Sequence, residues 1–170
     1  MGESGHINIG YPRNIRNSNI YNNEDMSVKV IVHCSDSSFG NAATITAWHL
    51  ERGFQTIAYH YVILNGRLSP YKHHLYYDGH IETGRPLDDD ADMELDEKGA
   101  HAFGYNDSVG ICLIGLSGTF TDSQLRALSH LVKRLRVQFG EIEVIQHSNV
   151  DKKKPHCAGL SPLQLATLNR

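Results

Sequence analysis

Hydrophobic and polar positions repeat with two periods along this chain, and the changes of period mark its elements. Residues 28–33 run Val-Lys-Val-Ile-Val-His, a β-branched stretch of strand length that ends in His33 as the sequence turns small and polar. Ser35-Asp36-Ser37-Ser38 reads as a loop, and Asn41 as the N-cap of a helix to about Arg52. Ile45, Trp48 and His49 share one face of that helix, and Gly53 is placed to stop it. The aromatic and β-branched residues 57–64 predict a second strand. Asn65-Gly66 and Asp78-Gly79 carry the chemistry of type I′ turns, which predicts an inserted hairpin over about 67–77 and a short strand at 80–83. Residues 108–116 are apolar almost throughout, as in a central strand buried on both faces. Thr121 and Gln124 form a capping box ahead of the clearest helical stripe, Leu125, Leu128, Val132, Leu135 and Phe139, closed by Gly140. A short strand at 143–146 delivers His147, and Ser161-Pro162 opens a last helix.

Strands interleaved with helices predict an α/β fold, a single domain whose central mixed β-sheet is flanked by helices. A chain of 170 residues buries a core without staples. Residues 1–27 have no period and read as an irregular arm that Tyr11, Ile15, Ile20 and Tyr21 pin to a domain over 28–170. A formal charge of −3 gives no electrostatic case for nucleic acid. No apolar run approaches the roughly 20 residues of a bilayer span, so membrane insertion is not expected. The start lacks a charged segment followed by an apolar one, which predicts cytoplasmic synthesis without a conventional signal peptide. A monomer is expected.

Three cysteines without Cys-x-x-Cys spacing argue for a reduced compartment or a metal rather than a disulfide framework. Cys34 and Cys112 sit in apolar runs and read as inert core residues. The 11 histidines are the one compositional excess. His33 and His147 at strand ends, with Cys157 in a loop, form a plausible three-ligand zinc set with an open fourth position. His156 competes with Cys157, and with both bound the site is closed and structural. His73-His74 on a strand point to opposite faces and suggest no second metal. Asp88-x-Asp90-x-Asp92 imitates the start of a calcium loop but lacks its Gly and Glu, and reads as a solvated acidic loop.

Several longer motifs occur in one order: His33-Cys34-Ser35, Trp48-His49 with Gly53-Phe54, and Ala58-Tyr59-His60-Tyr61. Asp78-Gly79 with Gly84-Arg85, Gly99-Ala100-His101-Ala102 and Ser108-Val109-Gly110 follow, before His147 and Cys157. From about residue 28 to 160 this resembles the N-acetylmuramoyl-L-alanine amidases of the amidase-2 superfamily, most of all the phage enzymes with Cys as third ligand. Peptidoglycan recognition proteins share that fold. The resemblance implies one catalytic Zn2+ held by His33, His147 and Cys157, with peptidoglycan or muropeptide as substrate. It implies cleavage between N-acetylmuramic acid and L-alanine, by a lysin acting on the cell wall after release. Tyr59 matches the tyrosine beside the metal, and His101 a cleft histidine that is not a ligand. Close relatives carry a lysine two residues before the third ligand. Here that position is Pro155, which leaves Lys154 to fill the role. The alternatives are a non-catalytic peptidoglycan-binding module and a bacterial muropeptide-recycling amidase.

Overall fold

The computed structural model describes residues 27–90 and 93–170. The arm expected over 1–27 and its anchoring residues lie outside them, apart from Ser27. Five strands form one sheet in the order β3-β2-β4-β1-β5. They are β1 (Val28–Cys34), β2 (Tyr61–Ser69), β3 (Lys72–Thr83), β4 (Val109–Leu113) and β5 (Ile142–Gln146). β1 lies parallel to both β4 and β5, and β2 parallel to β4, while β2 and β3 pair antiparallel. The sheet is therefore mixed, as expected, and all five residues of its central strand β4 are buried.

Alternation along the strands divides the core. Val30 and Val32 of β1 and Val109, Ile111 and Leu113 of β4 meet helix α2 (Asp122–Phe139) through Leu128, Leu131, Val132 and Leu135. The intervening residues, Ile31 and His33 on β1, face the other way. Across the sheet from α2, Ile45 of helix α1 (Ala42–Glu51) packs with Ile57, Val62, Leu64 and Ile114. The capping box at Thr121 and Gln124 opens α2. Gln124 is fully buried, and its amide also donates to the carbonyls of Ile63 and Ile114, tying the helix start to the sheet. Helix α1 starts at its Asn41 cap, and the Glu82 carboxylate accepts the N–H of Ala42 at 2.7 Å. A one-turn helix α3 (His147–Val150) and α4 (Pro162–Leu168) complete the chain.

Three expectations change. The second strand begins at Tyr61, and residues 57–60 are irregular. Side chains take part of their backbone bonding: Ala58 N–H donates to His49 Nδ1, and Arg85 Nη1 donates to the Ile57 carbonyl. The two turn signals are not turns either. Asn65 and Asp78 face each other inside one long hairpin, whose register shifts on both sides of Asn65, and residues 67–77 are its distal half. Gly66 and Gly79 have φ of +77° and +81°, the left-handed backbone of a bulge, which favours glycine as strongly as a type I′ turn does. The segment 80–83 is the end of β3 rather than a separate strand.

Candidate metal centre

Parallel strands β1 and β5 end side by side, with Val32 opposite Gln146. The next residue of each chain segment is a histidine. His33 therefore lies beside His147, their ring centroids 4.4 Å apart. This is the carboxyl edge of a parallel sheet, where α/β folds gather their ligands. Cys157 arrives from the loop between α3 and α4. Its carbonyl accepts the Ser148 N–H at 2.6 Å, and its Sγ accepts the N–H of Cys34 at 3.3 Å. One donor atom from each of His33, His147 and Cys157 lies within 4.8 Å of the other two. His156, the rival within its tripeptide, is exposed and outside this group.

The donor set fits a transition metal. A tetrahedral zinc with bonds of about 2.0–2.3 Å separates its donors by roughly 3.3–3.8 Å, within reach of small side-chain rotations here. Burial, then the His101 and His147 imidazoles, hold His33 well below the usual histidine pKa. Burial likewise lowers His147; Asp151 opposes the shift and Lys154 adds to it. Both rings are then neutral near pH 7, with a lone pair to give. The Asp151 carboxylate lies 3.8 Å from His147 Nε2, so it supports that ligand through charge more than through a direct hydrogen bond.

The structure places Cys34 differently from the inert core residue expected. It is partly exposed and sits against Cys157, whose Sγ accepts its N–H. The neighbouring Cys157 thiol brings Cys34 down to about 7, and Cys34 in turn pushes Cys157 up. The Cys34 N–H works the other way at Cys157, favouring its thiolate. Cys112 is a fully buried free thiol, as expected of a core residue. The sequence carried one signal for Cys34 that went unused: it directly follows His33, a candidate ligand at a strand end.

Tyr59 sits on the irregular stretch before β2, clamped from both sides. The carbonyl of Tyr59 accepts the Arg85 N–H, and the ring lies 5.0 Å from His33 and 5.3 Å from His49. Burial raises its phenol well above the usual tyrosine range, so it stays protonated. His101 is 7% exposed and is not a donor of the cluster; its Nδ1 lies 3.1 Å from His33 Nε2. Lys154 is exposed, its backbone N–H on the Asp151 carbonyl. Asp88 is likewise exposed and takes the Asp90 N–H, while Asp92 lies outside the described residues. His73 and His74 are exposed on the hairpin, far in kind from this buried cluster. A cleft of about 550 Å³ beside the hairpin is lined by Arg67, His73, Leu75 and Leu116.

Comparisons with known proteins bear on the family and the fold. The family described as N-acetylmuramoyl-L-alanine amidase matches residues 23–159. The endolysin of Klebsiella phage KP32 is 32% identical over 136 residues, 74% of this chain and 77% of its own. The endolysin of Escherichia phage T7 is 29% identical over 135 residues, 73% of this chain and 76% of its own. Among solved structures, the amidase LysC of Clostridium intestinale superposes with a TM-score of 0.64 at 23% identity, covering 84% of this chain and 85% of its own. Drosophila PGRP-LB gives 0.59 at 27% identity, covering 78% and 75%. With the family pattern spanning β1 to Cys157 and a relative this similar across most of both chains, this chain belongs to the N-acetylmuramoyl-L-alanine amidase family.

Proposed function

We propose that this chain is a zinc-dependent N-acetylmuramoyl-L-alanine amidase of the phage endolysin type, cutting the amide between N-acetylmuramic acid and L-alanine. The observation that carries this is the convergence of His33, His147 and Cys157 in a chain of that family. Zinc held there supplies a Lewis acid that polarises a carbonyl and makes water a nucleophile near neutral pH. The chain's own groups do the rest. Tyr59 keeps its proton, and its hydroxyl takes part in no hydrogen bond among the described residues, so it is free to donate to the oxyanion of the tetrahedral intermediate. Lys154 supplies the proton for the leaving amine; its charge is already felt at His147. His101 supports His33 from behind without joining the ligands.

Purified peptidoglycan incubated with the zinc-loaded protein is expected to release new L-alanine amino termini, identified by end-group labelling. Cys157→Ala removes one of three ligands. It is expected to lower that rate by at least about 1000-fold, the equivalent of several kcal/mol of lost metal stabilisation. Binding to the sacculus with no new amino termini from the wild type would instead establish a non-catalytic module.

A further inference from the structure

His33 does not choose its own tautomer. We infer that His101 is a positioning residue that fixes His33 with its proton on Nε2 and so turns the Nδ1 lone pair toward the metal centre. The inference rests on the metal site proposed above and goes beyond it in assigning which nitrogen binds and what decides it.

The argument runs outward from a backbone carbonyl. The Ser108 oxygen, 2.9 Å from His101 Nε2, can only accept, so that nitrogen carries the proton. A neutral imidazole protonated at Nε2 has only an acceptor left, at Nδ1. That atom lies 3.1 Å from His33 Nε2, which must then be the donor. The ring planes meet at 90° with centroids 5.1 Å apart, an arrangement that an N–H···N bond allows, since the N–H and the lone pair each lie in their own ring plane. His33 is left with one free lone pair, on Nδ1.

The seat of His101 is made to hold this orientation. A methyl group in place of either Gly99 or Gly110 hydrogen would come within 2.8 Å of the His101 ring, so both glycines leave room for the imidazole to lie against backbone. Ser108 is itself pinned, its N–H and hydroxyl both donating to the Tyr105 carbonyl. The neighbouring His60 is set in the same manner. Gly110 N–H donates to its Nδ1, which leaves its Nε2 proton for the Glu97 carbonyl at 2.8 Å. Two buried imidazoles thus have their protons assigned by main-chain groups, and the first passes the assignment to the ligand. Outer partners that orient a ligating histidine contribute about 10–100-fold to metal affinity.

The test is read without catalysis. Long-range ¹H–¹⁵N spectra of the metal-free wild type are expected to show His33 with a protonated Nε2 and a bare Nδ1, and the Nδ1 signal is expected to shift when zinc is added. In His101→Phe, which keeps a ring in the seat but offers no acceptor, His33 is expected to become a mixture of tautomers. Zinc affinity by chelator competition is expected to fall about 10–100-fold. A bare Nε2 on His33 in the wild type overturns the inference. So does a folded His101→Phe whose His33 tautomer is unchanged and whose zinc affinity stays within twofold of wild type. Should that variant not fold, the wild-type spectrum decides alone. A protein that shows the expected tautomer and binds zinc but cuts no peptidoglycan contradicts the amidase function and leaves this assignment standing.

Discussion

Two regions of one sheet, both rich in histidine and tyrosine, have been put to opposite uses. At the carboxyl ends of β1 and β5, His33, His147, His101 and Tyr59 crowd together, and water is largely excluded. On the distal half of the β2–β3 hairpin, His73 and His74 stand in solvent, and Tyr71 and Tyr76 are 98% and 85% exposed. In the first region polar atoms have only one another and the backbone, so protonation and ring orientation are dictated by neighbours. In the second, the exposed polar atoms are open to solvent, and the Tyr76 and His74 rings meet that of Tyr77, the one tyrosine there that packs against the core. The lesson is that residue type sets what chemistry is available, while burial decides whether it is committed.

After loss of a metal-site donor, the largest effect should come from removing one committed atom. Tyr59→Phe deletes a hydroxyl that no described residue hydrogen-bonds, so no described group is left unpaired by its loss. The turnover rate on peptidoglycan is expected to fall about 100–1000-fold, as for loss of one oxyanion donor, with the urea midpoint unchanged. An equal loss of stability would show that the hydroxyl serves the fold instead.

Next in size is an acid sensitivity confined to the buried region. Burial brings His101 down to about 4 and lowers His60 as well. As pH falls through about 6.5 the unfolded chain takes up protons on these rings while the folded protein does not. Stability is therefore full above that pH and is lost on the way down, until the folded state too is protonated. His101 alone accounts for on the order of 3 kcal/mol between pH 6.5 and pH 4. Urea unfolding of the metal-free protein at the two pH values measures it, and His101→Phe should flatten the slope.

The hairpin should barely respond. Tyr76→Ser is expected to change stability by no more than about 0.5 kcal/mol in the same unfolding experiment, as for an ordinary surface position. A loss several times larger would mean that the hairpin tip is packed in solution and would erase the contrast.

Much of the committed region was legible in the sequence because its parts are local. A β-branched run ending in His33, a capping box at Thr121, a strand ending before His147 and an order of motifs resembling the amidases each need only neighbouring residues to be read. The parts that were not legible depend on distance in the chain. His101 meets His33 across 68 positions, and Cys157 meets Cys34 across 123, with no period to announce either. Asn65-Gly66 and Asp78-Gly79 misled for another reason: a turn and a bulge ask the same positive φ of glycine, and only the partner strand tells them apart. The strand expected at 57–64 began late because His49 and Arg85 take over part of its backbone bonding. Those same bonds hold Tyr59 beside His33.

The most direct measurement is amidase activity against added zinc, starting from metal-free protein whose fold is checked by circular dichroism. Activity on purified peptidoglycan is expected to rise linearly from zero, saturate at about one zinc per chain as the three-ligand site requires, and vanish again on chelation with the fold intact. Full activity in the metal-free protein, or folded zinc-loaded protein that releases no amino termini, would contradict a zinc amidase built on His33, His147 and Cys157.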